Sequence, residues 1–516
     1  MKSSFLSRTS FISSLGIAVS LRLTGFLQLR PQQQLQRVRT ISEVTNFGQQ
    51  YKMDGSNQAA QAQNQRQLQT RILSIRPTQL GKFSAQKSDL PLEDWHIELN
   101  DDSRDATNLR VAVNALRTSD VPVAFPTETV YGLGADATRS AAVSGIYRAK
   151  QRPSDNPLIV HIASLSQLRR LLVPSTAAAA QDIASDPIPA IYHPLLRRFW
   201  PGPLTIILAN PKDSSLAPEV TAGLTTFGAR MPRNLLALAL IKLADVPVAA
   251  PSANASTKPS PTAADHVMHD LNGRIELILD GGLCDVGVES TVVDGLSSPP
   301  SILRPGGIGL DQIRQCQGWE DTVIGYRDSS EKDSKPRAPG MKYRHYSPKA
   351  PVILIESGGK EPSVDDLARH LSQNRSLGLV RTKTWASLGA LLAPHGDTPK
   401  PAASSHTQSM RDVNKSASSP IEEMLEEFAI YQSIKPKRFG VDSENGQSAG
   451  SFDLWDLYLG PETGRIARGL FSALRDLDQQ NVDAIIVEGI DDSEGDIAAA
   501  VMNRLRKAAE VKLDHL

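Results

Sequence analysis

Cysteine, long apolar runs and an excess of charge of one sign are all scarce or missing in this sequence. The only cysteines, Cys284 and Cys316, cannot form a disulfide framework, and no Cys/His spacing suggests a metal site. No apolar run reaches the roughly 20 residues that span a bilayer, so no membrane partner is expected. The 56 basic residues (Lys and Arg) balance the 56 acidic residues (Asp and Glu), so the formal net charge is zero. The chain therefore has no overall positive field that would attract nucleic acid.

The first 104 residues have the composition of a disordered extension. Residues 1–40 contain five arginines, one lysine and no acidic residue, which is typical of a mitochondrial transit peptide; a disordered basic tail is the alternative. Asn57–Gln69 is almost entirely polar or alanine, so it buries too little apolar surface to fold. Initiation at Met53 would remove the basic segment. We therefore expect a cytoplasmic protein with an additional mitochondrial form.

The remainder of the chain alternates between short apolar strands and helices, which indicates α/β domains. We expect a first domain over residues 105–315, a linker over 316–350 and a second domain over 351–516, with a disordered insertion near 395–420. The predicted strands are Val121–Phe125, Leu158–Ile162, Leu204–Leu208, Val246–Ala250, Ile275–Leu279, Ser290–Val293, Val352–Ile355, Leu377–Val380 and Ala484–Val487. The predicted helices are Ala141–Lys150, Leu235–Leu243, Ile466–Leu477 and Ile497–Ala509.

A glycine-containing motif, Pro126–Gly134 (PTETVYGLG), follows the first predicted strand. Glycine lets backbone N–H groups approach an anionic ligand, although an ordinary turn is the alternative. The motif is not GxGxxG, and the phosphate-binding loop GxxxxGK[ST] occurs nowhere in the chain.

Several charged residues end predicted elements. Lys150 and Arg152 lie at the end of a helix that Pro153 stops, where they would clamp phosphate or simply pair with the helix dipole. His161 ends an apolar strand and is either a ligand or a satisfied core residue. Arg230 lies in an apolar run and needs an anionic partner, which would be a substrate carboxylate or a structural Asp or Glu.

Three further polar motifs lie at strand ends, where open α/β sheets bind ligands. They are Ala250–Asn254 (APSAN), Glu289–Asp294 (ESTVVD) and Leu303–Gly306 (LRPG). Each of them alone would also fit an ordinary polar turn or strand end.

Taken in order, these motifs closely resemble those of the YrdC-type threonylcarbamoyl-AMP synthases. The likeness covers Asn108–Ile313 and includes WPGPLT at Trp200–Thr205. Pro339–Pro348 (PGMKYRHYSP), Arg475–Asp478 and Asn503–Ala509 resemble the longer, two-domain members. The resemblance implies a twisted α/β sheet around a concave cavity, followed by a smaller Rossmann-like α/β domain. The second domain lacks a dinucleotide fingerprint, so no cofactor is assigned to it.

The resemblance also implies the reaction. L-Threonine, bicarbonate and ATP, with Mg²⁺ on the phosphates, would give threonylcarbamoyladenylate and pyrophosphate. The product would pass to a tRNA threonylcarbamoyl transferase complex, which modifies the position next to the anticodon of tRNAs reading ANN codons. Such anionic substrates need Arg, Lys and backbone donors rather than a covalent nucleophile, and the chain has no GxSxG elbow.

Site residues follow from the same motif positions. The residues expected to hold L-threonine are Thr129, His161, Arg230 and Ser290. The residues expected to hold ATP are Lys150, Arg152, Asn156, Thr226, Ala250, Ser252, Asn254, Ser260, Arg304 and Tyr343. The substrate touched by Lys150, Ser252 and Asn254 stays open. Tyr343 in the linker should fold over the nucleotide as part of a lid.

Two other functions compete with this prediction. A double-stranded RNA-binding module would use a positive concave surface, and a weak contact with tRNA would also fit it; zero net charge and few aromatic residues count against both. A carbamoyltransferase of the hydrogenase-maturation type would carry acylphosphatase and zinc-finger regions, which this sequence does not contain.

Overall fold

The computed structural model describes residues 68–85, 90, 92–173, 186–326, 345–363, 366, 376–385, 437–442, 448–495 and 497–513. These residues belong to one compact unit, Gln67–Leu516. The strands of its first part are β1 (Arg71–Ser74), β2 (Gly81–Ala85), β3 (Trp95–Leu99), β4 (Val123–Phe125), β5 (Gly132–Asp136), β6 (Ile159–His161), β7 (Leu204–Ala209), β8 (Thr226–Arg230), β9 (Val248–Ala249), β10 (Leu277–Asp280), β11 (Thr291–Asp294), β12 (Ser301–Arg304) and β13 (Val323–Ile324). Its helices are α1 (Arg104–Thr118), α2 (Ser140–Lys150), α3 (Leu165–Leu172), α4 (His193–Phe199), α5 (Pro218–Thr221), α6 (Leu235–Ala244), α7 (Ala264–Leu271) and α8 (Leu310–Arg314).

The strands of the first part, apart from the β2–β3 hairpin, form a mixed sheet in the order β1-β10-β4-β5-β9-β6-β8-β7-β11-β12-β13. Its central strands are short, apolar and buried, as expected where helices cover a sheet. The helices have identifiable limits. Asn234 caps α6 by accepting from the N–H groups of Leu236 and Ala237, and α2 ends at Gln151 in a left-handed conformation before Pro153.

The second part is a six-stranded sheet with two long helices. Its elements are β14 (Val352–Ile355), β15 (Ser376–Arg381), β16 (Lys437–Asp442), β17 (Ser448–Tyr458), α9 (Thr463–Gln479), β18 (Ala484–Glu488), α10 (Ala498–Ala508) and β19 (Val511–Leu513). The strand order is β16-β17-β15-β18-β14-β19, and all neighbours except β16 and β17 are parallel. A large α/β sheet followed by a smaller, mainly parallel α/β unit agrees with the predicted fold class.

The first part begins before residue 105 and ends after residue 315, the two boundaries expected from the sequence. β1 pairs in parallel with β10, and β13 pairs with β12 at the opposite edge of the sheet. Trp319 is fully buried. The expected disorder up to residue 104 is therefore wrong for β1, β2 and β3. β1 is an edge strand with exposed ends, so its sequence shows no apolar run. Residues 1–67 and the predicted insertion near 395–420 lie outside the described residues.

Two loops of the first part are buried in the apolar core of the second. Val130 and Val288 pack in the same cluster as Tyr346 and the buried faces of α9 and α10. Gly287, with φ +78°, lies so close to α9 that a Cβ atom there would overlap the backbone of Ala467 and Arg468. The second part therefore forms part of the support for these loops, of which the first lies in the PTETVYGLG motif and the second leads directly into ESTVVD.

Candidate active site

The ends of several strands of the large sheet meet at one cleft. β6 and β8 are parallel neighbours, and their register places His161 beside Arg230. β11, which starts directly after Ser290, lies parallel to β7. The enclosed part of the cleft has a volume of about 50 Å³, and the space beyond it opens to solvent. The predicted site residues that line it are Thr129, Arg152, His161, Arg230, Ala250, Ser252, Ser290 and Arg304.

Arg230 is almost completely buried and already has protein partners. Its Nη1 donates to Thr129 Oγ1 at 2.8 Å, and its Nε donates to the Gly202 carbonyl at 3.2 Å. Its Nη2 lies 2.6 Å from Glu128 Oε1, an ion pair that lacks hydrogen-bond geometry. The structural glutamate that the sequence left open as one alternative therefore pairs with Arg230. Arg230 also lines the cleft, so the substrate carboxylate stays a prediction.

His161 is buried beside Arg230, with its ring edge-on to Phe125. Burial, followed by the positive charge of Arg230, lowers the pKa of His161 to about 3, so the ring is neutral at pH 7. Its Nδ1 is buried without a hydrogen-bond partner among the described residues. A buried polar atom on a cleft wall is available to a ligand or to an ordered water.

A second cationic wall is built around Ser290. The Ser290 hydroxyl lies 2.8 Å from Thr205 Oγ1 and accepts from Arg304 Nη2 at 3.0 Å. Arg304 also donates to the Ser290 carbonyl from Nε at 3.1 Å and from Nη2 at 2.9 Å. Ser290 and Arg304 therefore hold each other in place at the cleft.

The APSAN loop forms a third wall, which Lys150 holds from behind. Lys150 Nζ donates to the carbonyls of Ser252 and Asn254, the latter at 2.6 Å. Asn254 accepts from Ser252 Oγ at 2.6 Å and donates to the carbonyls of Ala255 and Lys258. The pKa of Lys150 lies well below its ordinary value, mainly because the side chain is buried. In this arrangement Lys150 and Asn254 shape the loop, while Ser252 faces the cleft.

The remaining predicted residues divide between positions at the cleft and positions beside it. Arg152 lines the cleft and donates to the carbonyls of Asn156 and Pro157, while its Nε has no hydrogen-bond partner among the described residues. Asn156 and Thr226 do not line the cleft, and Ser260 donates from its hydroxyl to Glu289. Tyr343 lies outside the described residues.

The C-terminal end of the linker lies at the cleft. His345 and Tyr346 line it, and Tyr346 is almost fully buried against Phe471 of α9. The Ser347 N–H donates to the Thr257 carbonyl at 2.9 Å, and its hydroxyl donates to the Ala508 carbonyl at 3.2 Å. The segment is thus attached to both parts of the protein.

The sequence patterns did not reveal the acidic members of the site or the packing role of Gly134. Glu128 and Glu289 lie inside motifs noted from the sequence, but their charge is compensated by arginines distant in the chain. Gly132 and Gly134 are in β5, where Gly134 leaves room for the Phe125 ring. Close packing of the β4–β5 hairpin therefore explains Gly134 better than an anion contact does.

The arrangement suits a ligand with several negative charges. Arg152, Arg230 and Arg304 all reach the cleft, while Glu128 and Glu289 are each paired with an arginine. Charge-assisted hydrogen bonds from guanidinium groups are well suited to carboxylates and phosphates. The lining residues include no cysteine and no serine–histidine pair that would form a nucleophile.

Comparison with family models covers most of the described chain. Residues 115–306 match the Sua5/YciO/YrdC model, described as "Telomere recombination". Residues 308–510 match the model described as "Threonylcarbamoyl-AMP synthase, C-terminal domain". The boundary between the two models falls before β13, the last strand of the large sheet.

Curated relatives and solved structures agree with these models. A Schizosaccharomyces pombe protein named threonylcarbamoyl-AMP synthase is 43% identical over 86% of this chain and 98% of its own length. Its namesake in Bacillus subtilis is 39% identical over 80% and 97%. A Pyrococcus abyssi Sua5 structure, complexed with L-threonine, has a TM-score of 0.56 and 33% identity over 86% of this chain and all of that one. A double mutant of the same protein has a TM-score of 0.59 at 32% identity, over 87% and 99%.

Proposed function

The chain belongs to the threonylcarbamoyl-AMP synthase family, and we propose that its cleft converts L-threonine, bicarbonate and ATP into threonylcarbamoyladenylate and pyrophosphate. The family is established by relatives matched over 95–98% of their length at 39–43% identity. The observation that supports the reaction is the convergence of three arginines and a neutral histidine on one cleft. The relatives support the synthase and not the alternative of a double-stranded RNA-binding module.

L-Threonine is proposed to bind where Thr129, His161, Arg230 and Ser290 meet. The Sua5 relative whose structure contains L-threonine has the same fold over nearly the whole chain. Arg230 would hold the threonine carboxylate, for which the Thr129 hydroxyl orients its guanidinium. The unpartnered Nδ1 of neutral His161 can donate or accept one hydrogen bond, depending on its tautomer, which suits a polar group of the substrate.

ATP is proposed to bind along the Arg152, Ala250, Ser252 and Arg304 side of the cleft. Five further residues expected to hold ATP do not line the cleft: Lys150, Asn156, Thr226, Asn254 and Ser260. In this proposal they act mainly by shaping the walls whose residues contact ATP directly. Tyr343 is proposed to cover the nucleotide, because His345 and Tyr346, two and three residues later, already line the cleft.

The chemistry then depends on positioning and charge. Bicarbonate carboxylates the threonine amine with loss of water, and an oxygen of the resulting carbamate attacks the α-phosphorus of ATP and displaces pyrophosphate. Arginine side chains would hold the carboxylate, carbamate and phosphates together and stabilise the developing charge. The buried ring of Tyr346 would exclude water from a carbamate and an adenylate that hydrolyse easily.

Mg²⁺ is proposed to enter with ATP. The described residues contain no cluster of three or more His, Cys, Asp or Glu that could hold a metal ion. Glu289, the carboxylate that lines the cleft, is paired with Arg504. The donor set therefore fits an ion held mainly by phosphate oxygens, which it would draw together and partly neutralise.

The product is proposed to serve tRNA modification. A threonylcarbamoyl group activated as an adenylate needs an acceptor, which would be the adenosine next to the anticodon of tRNAs reading ANN codons. A separate threonylcarbamoyl transferase complex would carry out that transfer. Any contact of this chain with tRNA is expected to be weak, because its net charge is zero.

The wild-type protein incubated with L-threonine, bicarbonate and Mg-ATP should release pyrophosphate and form a labile adenylate that contains threonine. Pyrophosphate release and mass spectrometry of the quenched mixture measure the two products, and omission of threonine should abolish both. L-Valine replaces the threonine hydroxyl by a methyl group and is the matched control. Absence of both products from folded protein would contradict the proposed function.

A mitochondrial form is proposed beside the cytoplasmic one. The described residues contain no helix long and apolar enough to cross a membrane. A C-terminal tag on a chain with Met53→Ala should report only the mitochondrial pool, because every product would keep the basic leader. A chain that starts at Met53 is the control and should stay in the cytoplasm. A wholly cytoplasmic signal from the Met53→Ala chain would rule out the targeting.

A further inference from the structure

A buried arginine of the second domain pairs with a carboxylate on the wall of the cleft. Arg504, on α10, is almost fully buried, and its Nε lies 3.0 Å from Glu289 Oε2. Its Nη1 donates to the Pro305 carbonyl at 2.6 Å, directly after Arg304 in the chain. Arg504 itself does not line the cleft, whereas Glu289 and Arg304 do. One guanidinium outside the cleft therefore contacts both segments that form its second cationic wall.

Glu289 needs a strong positive partner, because a buried carboxylate is costly unless it is paired. Burial alone would raise the pKa of Glu289, but the charges of Arg504 and Arg304 and the Ser260 hydroxyl outweigh burial and hold it at about 2. Glu289 is therefore ionised at pH 7. Arg504 is the larger of the two opposite charges that act on it.

Arg304 has a different set of contacts. The side-chain bonds described above join it to the carbonyl and hydroxyl of Ser290, one residue after Glu289. If Arg504 were removed, Arg304 would be the main cation left for the Glu289 carboxylate. Attraction between them would draw Arg304 away from Ser290 and from a bound anion.

We propose that Arg504 is a positioning residue for the substrate site: by pairing with Glu289 it keeps Arg304 on Ser290, in place to bind the anionic part of the nucleotide. The inference depends on the proposed function, because ATP is the ligand assigned to Arg304. It gives the second domain a residue-level part in substrate binding. Arg475 of α9 makes a separate attachment, to Asp270 and to the Pro259 carbonyl, which does not involve Glu289.

The test compares ATP binding by calorimetry in full-length variants. Arg504→Gln should bind ATP roughly tenfold or more weakly, as expected when a charge-assisted contact is displaced. Glu289→Gln combined with Arg504→Gln should recover most of that loss, because no carboxylate is left to attract Arg304. Arg506→Gln is the matched control: Arg506 lies one half-turn along α10 and pairs with Glu356 and Asp492, away from the cleft. It should bind ATP like the wild type.

The pH dependence of ATP affinity is a second readout. If the Arg504–Glu289 pair only stabilised the fold, the ATP affinity of Arg504→Gln would not depend on the protonation of Glu289. In Arg504→Gln, the largest opposing charge is gone, so the pKa of Glu289 should rise. Lowering the pH from 8 to 6 should then protonate part of Glu289 and reduce the difference in ATP affinity from the wild type. The ionisable groups that face Glu289 from the packed elements are Arg304, Arg504, Tyr346, His345 and Lys150. The double variant Glu289→Gln with Arg504→Gln has no carboxylate at position 289, so its ATP affinity should not rise in this way when the pH is lowered.

The outcomes separate this inference from the proposed function. Wild-type protein that binds no ATP would count against the proposed function. Wild-type protein that binds ATP, together with Arg504→Gln at the same affinity, would overturn only the positioning role. Equal loss in Arg504→Gln and in the double variant would also overturn it, since the loss would then not depend on Glu289. If Arg504→Gln does not fold, Arg504→Lys takes its place, because it keeps a positive charge opposite Glu289. Arg504→Lys should bind ATP within a few-fold of the wild type, and a tenfold loss in folded Arg504→Lys would overturn the positioning role.

Discussion

Replacing Arg230 by alanine is expected to weaken L-threonine binding by roughly ten- to a hundred-fold. Loss of a charge-assisted hydrogen bond costs about 1.5–3 kcal/mol, which corresponds to that change in affinity. Arg230 lies beside His161 at the ends of two parallel strands and is oriented by Thr129 and Gly202. ATP affinity should change much less, because the phosphates are assigned to the other side of the cleft. Calorimetry with each ligand separately measures the two affinities.

The same substitution should also destabilise the fold, because Glu128 would remain buried without its partner. Breaking a buried ion pair by removing one member costs about 3–5 kcal/mol. Adding Glu128→Gln should restore much of the stability and leave threonine binding weak. The double variant therefore separates the structural role of Arg230 from its role toward the substrate. Denaturant unfolding measures the free energy of unfolding of both variants.

Arg233→Ala is the matched control for Arg230. Arg233 is three residues away, but its side chain forms an exposed pair with Asp285 on the surface. Exposed ion pairs contribute roughly 0–1 kcal/mol, so this variant should keep both stability and threonine affinity. Unchanged threonine affinity in a folded Arg230→Ala protein would remove Arg230 from the substrate site.

Gly287→Ala is expected to cause a large loss of stability, although Gly287 does not line the cleft. Alanine at φ +78° costs about 1–2 kcal/mol, and overlap of its Cβ with the α9 backbone adds about 1–3 kcal/mol. A shift of the backbone at Gly287 would also move the loop that contains Glu128 and Thr129, because the N–H groups of Val286 and Gly287 donate to the carbonyls of these two residues. We therefore expect lower stability together with weaker threonine binding.

Gly282→Ala separates backbone strain from the contact with the second domain. Gly282 has φ +93° in the same loop region, but a Cβ atom there would meet no atom within 4 Å. This control should show only the strain of about 1–2 kcal/mol. Thermal unfolding and threonine calorimetry on both variants provide the comparison. Equal behaviour of the two alanine variants would show that close packing against α9 has no part in the site.

Local patterns in the sequence predicted most of the central elements. The strands near Val121–Phe125, Leu158–Ile162 and Leu204–Leu208 were found because they are continuous apolar runs buried on both faces. β1 and β13 were missed because they are short edge strands whose sequences contain no such run. β5 was not predicted as a strand, because Gly132 and Gly134 are poor strand residues, and the place of Gly134 depends on the neighbouring Phe125 ring.

The sequence by itself determined the family, the α/β class and the motif positions, because each motif is a contiguous stretch whose residue types can be read without a fold. The tertiary structure alone decided which of those residues face one cleft. Lys150 and Asn254 turn to backbone carbonyls, while Glu128 and Glu289 are paired by Arg230 and Arg504. Glu289 and Arg504 are 215 residues apart, and Glu128 and Arg230 are 102 apart by their numbers (230 − 128). Charge compensation acts through space over a few ångströms, so no local pattern could reveal these pairs.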